Sequence, residues 1–419
     1  MRRDSHETTA AASEDRPRLV HITTVPVSLW AFLRGQIPFM REQGFDVHAI
    51  SSPGKYLDMF AQRESVPVHA VEMPRRITPH RDIITVLRIW TTLRRIKPQI
   101  VHAHTPKGGL LGMIAAFLAR VPVRVYHIHG LPFMTAVGTR RRILVASERV
   151  SCLLAHRVLC VSPSIRDVAI TEHLCNAGKF AVLLGGSING VDANGLYDPD
   201  RPGPSGLEVR AGASIPADAL VVGFVGRVVR DKGIVELTEA WTTLRDRFPT
   251  LHLLIVGPFE PQDPVPEHVT QVLHNDPRVH LVGEVGNASR YYRAMDVVAL
   301  PTYREGFPLV PLEAASMRLP VVATRVPGCV DAVIDGVTGT LVPPYNSGAL
   351  ADAIAVYLLN PALRQRHGEA GRNRVLSEFR QEDIWAATYQ EYARLLRERG
   401  LPVPTPDGIA EATIHTGGR

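Results

Sequence analysis

Cysteine is scarce in this chain of 419 residues: there are four, at positions 152, 160, 175 and 329. Their spacings match neither a zinc-binding pattern nor a CxxC redox pair, and so few in so long a chain exclude a disulfide-stapled scaffold. A reducing, cytoplasmic setting is expected. Long apolar runs are missing too. LLGMIAAFLA (110–119) is well short of the roughly 20 residues that a membrane-spanning helix requires, and it ends at Arg120. The opening, MRRDSHETTAAASEDRPR, has basic residues with no apolar stretch behind them, so it is not read as a secretory signal, and residues 1–17 are expected to form a disordered arm. Neither GxxxxGK[ST] nor GxGxxG occurs at a strand end, which argues against ATPases and nicotinamide enzymes. No repeat of solenoid type is present.

What the chain does have is size, a balanced composition and an uneven charge. With 45% hydrophobic and 21% charged residues it reads as globular, and its length allows two domains of roughly 150–250 residues. Residues 1–180 carry 25 Lys and Arg against 13 Asp and Glu, a charge of +12; residues 181–419 carry 22 against 28, a charge of −6. A basic first half suits a polyanionic partner, nucleic acid or anionic lipid, or is simply a solvated arginine-rich surface.

Short apolar, β-branched runs recur, each followed by a helical pattern. Strands are expected at 18–23, 46–51, 68–73, 99–104, 123–130 and 157–162, then at 220–227, 251–257, 279–285, 297–300, 320–324 and 339–344. Helices such as LWAFLRGQIPFMREQG (29–44), DIITVLRIWTTLRRIK (82–97) and GIVELTEAWTTLRDRF (233–248) separate them, the second closed by Lys97-Pro98. This alternation implies an α/β fold of two doubly wound domains with parallel sheets covered on both faces. The joint is placed near LYDPDRPGPSGLE (196–208), the densest Pro/Gly segment. The first domain then spans 18–198 and the second 199–375; a last helix, 376–400, returns to the first, and 401–419 form a disordered tail. Ligands of such folds sit at the carboxyl ends of the strands, so the cleft between the domains is the expected site.

REGFPLVPLE (304–313) directly follows the apolar run DVVALPTY. Proline is tolerated only in the first turn of a helix, where amide hydrogens lack intrahelical acceptors, so Pro308 and Pro311 set a helix start at about 308–309. The amides of roughly 306–310 are then free at the positive end of the helix dipole, a place for an anion or a polar oxygen. Glu305 precedes this turn and Glu313 lies about a turn inside, so both can face one ligand; carboxylates gripping hydroxyls suggest a sugar or ribose. Alone, the pair could also be one helix-start glutamate and one solvated glutamate, the lesser of the two readings. VGFVGRVVRDKG (222–233) adds Arg227 and Lys232 at another strand end. A bidentate guanidinium and a compact ammonium suit a diphosphate and can stabilise its charge as a leaving group.

In order, GRVVRDKG, LIVG, LVGEV, ALPTYREGFPLVPLEAASMRLPVVATRVPG and DGVTGTLVPP resemble the donor half of the retaining glycosyltransferases of family 4, over about residues 220–345. The E-x7-E motif of that family matches Glu305 and Glu313. VHAHTPKGGLLGMIAA and VPVRVYHIHG resemble members that extend lipid-linked sugars in bacterial polysaccharide synthesis. The resemblance implies the GT-B fold, two Rossmann-like domains facing across a cleft, and a nucleotide-sugar co-substrate, UDP-linked by preference, with no metal and no further cofactor. Arg227 and Lys232 would hold the diphosphate, and Glu313 the ribose. Glu305 with the amides near Gly306 and Phe307 would hold the donor sugar, main-chain groups around Gly283 and Val285 would meet the base, and His129 of HIHG would reach the transferred hexose or N-acetylhexosamine. Glu305, His129, Arg227 and Lys232 thus form the catalytic set. Two departures stand out: Pro308 replaces a glycine common in the family, and TTVPVSLW (23–30) lacks the usual glycine pair of the first loop. No covalent nucleophile stands out, and the resemblance implies same-face attack with the leaving phosphate oxygen taking the acceptor's proton.

His102, His104 and His127 alternate with apolar neighbours at strand ends, as packed core histidines do; the HxH pair is a weak metal pattern without a carboxylate cluster, and no DxD-like pair ends a strand. The acceptor is assigned to the basic half. PRRITPHRDIITVLRIWTTLRRIK sets arginines on one side of a helix, and Leu131, Phe133 and Met134 lie beside Arg140, Arg141 and Arg142. Together with Lys107 these mark the acceptor or membrane side, suited to peripheral attachment at the inner face of the cytoplasmic membrane; burial of Phe133 and Met134 in the core is the competing reading. The expected partners are a nucleotide sugar, a lipid-linked saccharide acceptor and an anionic membrane surface. An epimerase or a transferase with a soluble acceptor is the alternative within the fold. A nucleic-acid-binding protein is disfavoured, since it leaves the four charged residues without a role and no base-stacking pattern is present.

Overall fold

The computed structural model describes residues 16–261 and 263–406. The expected arm is therefore described only at residues 16 and 17 and the expected tail only at 401–406; the remainder of both lies outside the described residues. Two parallel sheets carry the chain. The first contains β1 (Arg18–Ile22), β2 (Asp46–Ser51), β3 (Val68–Ala70), β4 (Ile100–His104), β5 (Val123–Ile128), β6 (Arg157–Cys160) and β7 (Phe180–Ala181), in the order β3-β2-β1-β4-β5-β6-β7. The second contains β8 (Leu220–Val225), β9 (Leu251–Val256), β10 (Val279–Gly283), β11 (Val297–Leu300), β12 (Val321–Thr324) and β13 (Gly339–Val342), in the order β10-β9-β8-β11-β12-β13. Both orders start at the centre, run to one edge and resume on the other side. Each sheet thus has a switch point, β1/β4 and β8/β11, where a crevice opens at the carboxyl ends. LVVGFV of β8 and LHLLIV of β9 are buried almost throughout because helices cover both faces.

Several expected strands overrun the observed ones at their carboxyl ends. The run 123–130 stops at Ile128, 220–227 at Val225 and 279–285 at Gly283. The expected runs continue through His129-Gly130, Gly226-Arg227 and Glu284-Val285, but Gly226 and Gly283 take positive φ (145° and 78°), which turns the chain out of the ladder. The single helix expected over 29–44 is two, Pro26–Leu33 and Gln36–Glu42. Gly35 between them has φ 78°, and a Cβ there would sit 2.5 Å from the ring of Trp385, so the break makes room for that indole.

The domains are joined by two adjacent crossings. Val191 pairs with Arg380 in an isolated parallel bridge, and its amide donates to the Phe379 carbonyl at 2.8 Å. The crossing lies upstream of the Pro/Gly-rich stretch, which is a surface loop of the second domain: Arg293 donates to the Arg201 carbonyl at 2.6 Å, and Arg372 pairs with Asp198 at 3.0 Å. After Arg380 the helix Gln381–Arg397 lies on the first domain, with Tyr392, Leu395 and Leu396 in one core with Leu19, Val47, Ile100 and Val125. Leu401 and Val403 extend this packing, and the Tyr389 hydroxyl donates to the Pro404 carbonyl at 2.8 Å, so the described start of the tail is held in place.

Candidate active site

The charged half of the site is assembled by two loops pressed together. β8 turns at Gly226, passes Arg227 and a short 3-10 turn (Arg230–Lys232), and enters the helix Ile234–Arg247 through Gly233 at φ 70°. A Cβ on Gly233 would lie 1.9 Å from the Pro301 carbonyl oxygen, so only glycine lets this turn lie directly on the loop that leaves β11. Asp231 fastens the two. Its carbonyl accepts from the Tyr303 amide (2.9 Å) and the Thr302 hydroxyl (3.1 Å), and its carboxylate accepts from Arg304 Nε (2.9 Å) and a second guanidinium nitrogen (2.6 Å). Held in this way, the Lys232 ammonium forms an ion pair with the Glu305 carboxylate, their side chains 21% and 12% exposed. Residues distant in sequence meet at one strand edge, as the motif reading expects.

The helix after β11 spans Leu309–Ser316 with Pro308 as its N-cap, in agreement with the proline argument. Among the described residues no protein acceptor takes the amides of Gly306 or Phe307. The Phe307 ring itself is buried in a cluster with Val161, Ile188, Leu312 and Phe379, so only the main chain of that residue can serve a ligand. Both oxygens of Glu313 are occupied: Tyr197 donates to Oε1 at 2.9 Å and Tyr292 to Oε2 at 2.7 Å. Burial raises the carboxyl's pKa, opposed by the two tyrosine hydrogen bonds. Each oxygen keeps a second lone pair, enough for a ligand hydroxyl.

The first domain meets this assembly at Gly306. A Cβ there would lie 1.8 Å from the His129 carbonyl oxygen, and the Gly306 carbonyl accepts from the Ser162 hydroxyl at 2.8 Å. Ser164 accepts from the Gly328 amide at 2.7 Å and bonds Asp331. His129 is thereby brought to the Glu305–Gly306 turn. Its ring stacks on Phe32 with centroids 4.1 Å apart, but its Nε2 faces His104 Nδ1 at 3.0 Å, so Nδ1 is the nitrogen left for the cleft. Arg227 shares the strand end with Lys232 yet pairs with Glu260, which also takes Arg75 of the first domain at 3.3 Å. Burial pushes the Glu260 carboxyl up, and the two arginines outweigh it and hold it below its usual range. At the opposite rim, Gly283 and Val285 flank Glu284, whose carboxylate accepts from the Tyr56 hydroxyl at 3.2 Å.

On the basic side the structure corrects the sequence reading. Phe133 is 1% exposed and Leu131 equally enclosed, both in the core of the first domain, and Met134 packs against it; the 3-10 turn Pro132–Met134 folds their side chains inward. They are not membrane tips. Arg141 lies over the Phe133 ring and pairs with Glu172, while Arg140 and Arg142 are exposed. Lys107 is tied to Asp82 at 2.7 Å. The first loop uses threonine where glycine was missed: the Thr24 hydroxyl accepts from the Gly108 amide at 2.8 Å, so this donor of the helix Pro106–Leu118 is already engaged.

An ammonium on a carboxylate, free amides at a helix start and a tyrosine-held glutamate make a place for a phosphorylated, hydroxyl-rich ligand between two switch points. Comparison with known proteins agrees. Residues 29–186 match the family described as Glycosyl transferase 4-like domain, and residues 208–374 that described as Glycosyl transferases group 1. The capsular polysaccharide biosynthesis glycosyltransferase CapM of Staphylococcus aureus is 32% identical over 381 residues, 91% of this chain and 98% of CapM. The chain belongs to the family 4 GT-B glycosyltransferases. This glycosyltransferase is also 25% identical over 333 residues to the UDP-Gal:alpha-D-GlcNAc-diphosphoundecaprenol alpha-1,3-galactosyltransferase of Escherichia coli, covering 76% of this chain and 81% of that one. The crystal structure of Anabaena Alr3699/HepE in complex with UDP and glucose shares its fold, with a TM-score of 0.75 at 22% identity over 90% of this chain and 99% of HepE.

Sequence reasoning missed Ser162, Ser164, Tyr197, Tyr292 and Glu260, which buttress the candidate site of this glycosyltransferase from segments with no local signature. Asp231 was in view, inside RDKG, and its acidic side chain between two cations was the one available sign of a loop clamp.

Proposed function

We propose that this glycosyltransferase moves a sugar from a UDP-sugar to a hydroxyl of a polyprenyl-diphosphate-linked saccharide, with retention at the anomeric carbon, in polysaccharide synthesis. The observation that carries the reading is the Lys232–Glu305 ion pair beside Gly306 and His129. When donor binds, Lys232 exchanges part of its contact with Glu305 for diphosphate oxygens, and Arg227, 54% exposed at its side chain, turns from Glu260 to assist. These two cations do at the diphosphate what a divalent ion does elsewhere, stabilising the charge that grows as the bond to the sugar breaks. Glu313, oriented by Tyr197 and Tyr292, grips the ribose hydroxyls; Glu305 and the amides of Gly306 and Phe307 receive the sugar; main-chain groups at Gly283 and Val285 receive the base. His129 contacts the transferred sugar through Nδ1. The acceptor hydroxyl attacks from the face that the phosphate leaves, and its proton passes to the leaving phosphate oxygen.

The printed names of CapM and of the Escherichia coli galactosyltransferase support a saccharide acceptor in polysaccharide assembly. Among the described residues no helix is long and apolar enough to cross a membrane. Peripheral attachment at the inner face of the cytoplasmic membrane is supported by exposed apolar side chains on two segments: Ile77, Ile83 (64% exposed) and Leu87 just before and within the helix Pro79–Ile96, and Val137 (83%) and Ile143 close in sequence to the exposed Arg140 and Arg142. The test is transfer from a panel of UDP- and GDP-sugars to polyprenyl-diphosphate-linked acceptors, with product linkage read by NMR. A new α-linked sugar from an α-configured UDP donor is expected; inversion, or turnover only with a free nucleotide sugar and no acceptor, overturns the proposal.

A further inference from the structure

The period of two along β1, β4 and β5 gathers histidines on one face of the first sheet. His21 on β1 is the ladder partner of His102 on β4, and His104 that of His127 on β5. His102 and His104, two residues apart, share a face. One step earlier the same face carries Leu19, Ile100 and Val125, in the core beneath the helix Gln381–Arg397. His21, His102 and His104 are completely enclosed, and neighbouring rings stand 4.1 to 5.5 Å apart. Burial holds them neutral: it drives the His21 pKa down to about 3 and those of His102 and His104 well below the ordinary value. Their ring lone pairs are thus available at any physiological pH.

Hydrogen bonding within the cluster is incomplete. His21 Nδ1 and His104 Nε2 lie 3.0 Å apart, and His102 Nδ1 lies 2.5 Å from the Tyr392 hydroxyl, yet His21 Nε2 and His102 Nε2 are buried with no partner. A buried polar atom left in that state forfeits the hydrogen bonds it would make in water. Two such nitrogens in one cluster call for a common occupant.

We propose that His21, His102 and His104 form a binding site for a zinc-type transition-metal ion between the first sheet and the closing helix. One ring nitrogen from each lies within 4.8 Å of the others. Small ring rotations bring three such atoms to the separation of about 3.3 Å that a tetrahedral ion with metal–nitrogen bonds of about 2.0–2.1 Å requires. Three imidazoles without a carboxylate suit Zn2+ and its transition-metal neighbours, whereas Mg2+ and Ca2+ take oxygen. The outer partners are also in place: Tyr392 on His102 Nδ1 and His129 on His104 Nδ1, the kind of contact that orients ligating imidazoles. A second trio, His104, His127 and His129, meets the same distance criterion but includes a residue facing the cleft. The enclosed trio is the assigned one. An ion there would tie the closing helix, through Tyr392, and His129, through His104, to one centre; it takes no part in the transfer step.

The experiment uses full-length, untagged protein incubated with zinc sulfate, desalted, and assayed for metal by mass spectrometry. One zinc per chain is expected, lost in His21→Gln and in His102→Gln and kept in His252→Gln, which alters a separate histidine pair (His252 and His280, 2.8 Å apart). Zinc should raise the melting temperature of the wild type and of His252→Gln only. No retained zinc in the wild type, or equal zinc in His21→Gln and His102→Gln, overturns the site. Should neither variant fold, the X-ray absorption edge of the zinc-loaded wild type decides: a shell of three imidazoles supports the assignment, and a shell dominated by oxygen or sulfur overturns it. The sugar-transfer reading stands or falls separately, since none of these measurements involves donor or acceptor.

Discussion

At the carboxyl ends of its strands the second domain sets charged side chains against one another, Lys232 on Glu305, Arg227 on Glu260 and Arg304 on Asp231, whereas the first domain sets neutral histidines into its core. The difference separates two tasks. Ion pairs can exchange partners, and Arg227, 54% exposed at its side chain, is the least committed because solvent competes for its charge. A buried neutral cluster has no ion pair to exchange and instead fixes geometry, here of His129 and of the helix that closes the fold. The cleft therefore has one face of charged pairs and one of neutral, enclosed contacts.

The comparison is broken most directly at Lys232. Lys232→Ala should lower kcat by about a thousandfold, the scale of losing a preorganised partner of the leaving group, with an unchanged circular dichroism spectrum. Activity within a few-fold of wild type would mean that the charged face is not the catalytic one.

Burial in the first domain extends to Glu148, whose carboxyl accepts from the Tyr126 hydroxyl at 2.7 Å. Desolvation raises its pKa to about 7, against the opposing hydrogen bond. Between the unfolded value near 4.3 and about 7 the folded state holds a proton that the unfolded state has released, so stability falls as pH rises through this window and then levels off. Glu148→Gln removes the penalty and should stabilise the protein at pH 8 by on the order of 3 kcal/mol, with little effect at pH 4.5. Chemical denaturation at both pH values checks it.

Glu313→Gln should raise the donor KM by roughly tenfold, the worth of one hydrogen bond to a charged group, and Tyr197→Phe by less, because Tyr292 still orients the carboxylate. Equal KM for Glu313→Gln and wild type would detach Glu313 from the donor. The smallest effect belongs to the membrane side: Arg140→Ser should weaken binding to anionic liposomes by about 1 kcal/mol at low salt, while transfer to a detergent-solubilised acceptor stays unchanged. Co-sedimentation across a salt series measures it.

The charged face was legible in the sequence because its loops are punctuated by residues with one structural use, glycine at 226 and 233 and proline at 308, with the charges at fixed offsets from them. The neutral face was only half legible. The alternation in VHAHT and VYHIHG marks His102, His104, His127 and His129, but nothing local says that β1 lies beside β4, so His21 and the cluster emerge only from strand order. Phe133 misled for a similar reason: arginines follow it closely, and the short turn that folds it inward carries no sequence mark. Tyr197 and Tyr292 reach Glu313 from 116 and 21 residues away, a convergence that periodicity does not encode.

Calorimetric titration of UDP into wild type and Lys232→Ala tests the central claim most directly. The account predicts saturable, one-to-one binding that weakens at least tenfold in the variant. UDP binding of equal strength in both proteins, or none in a folded wild type, would contradict it.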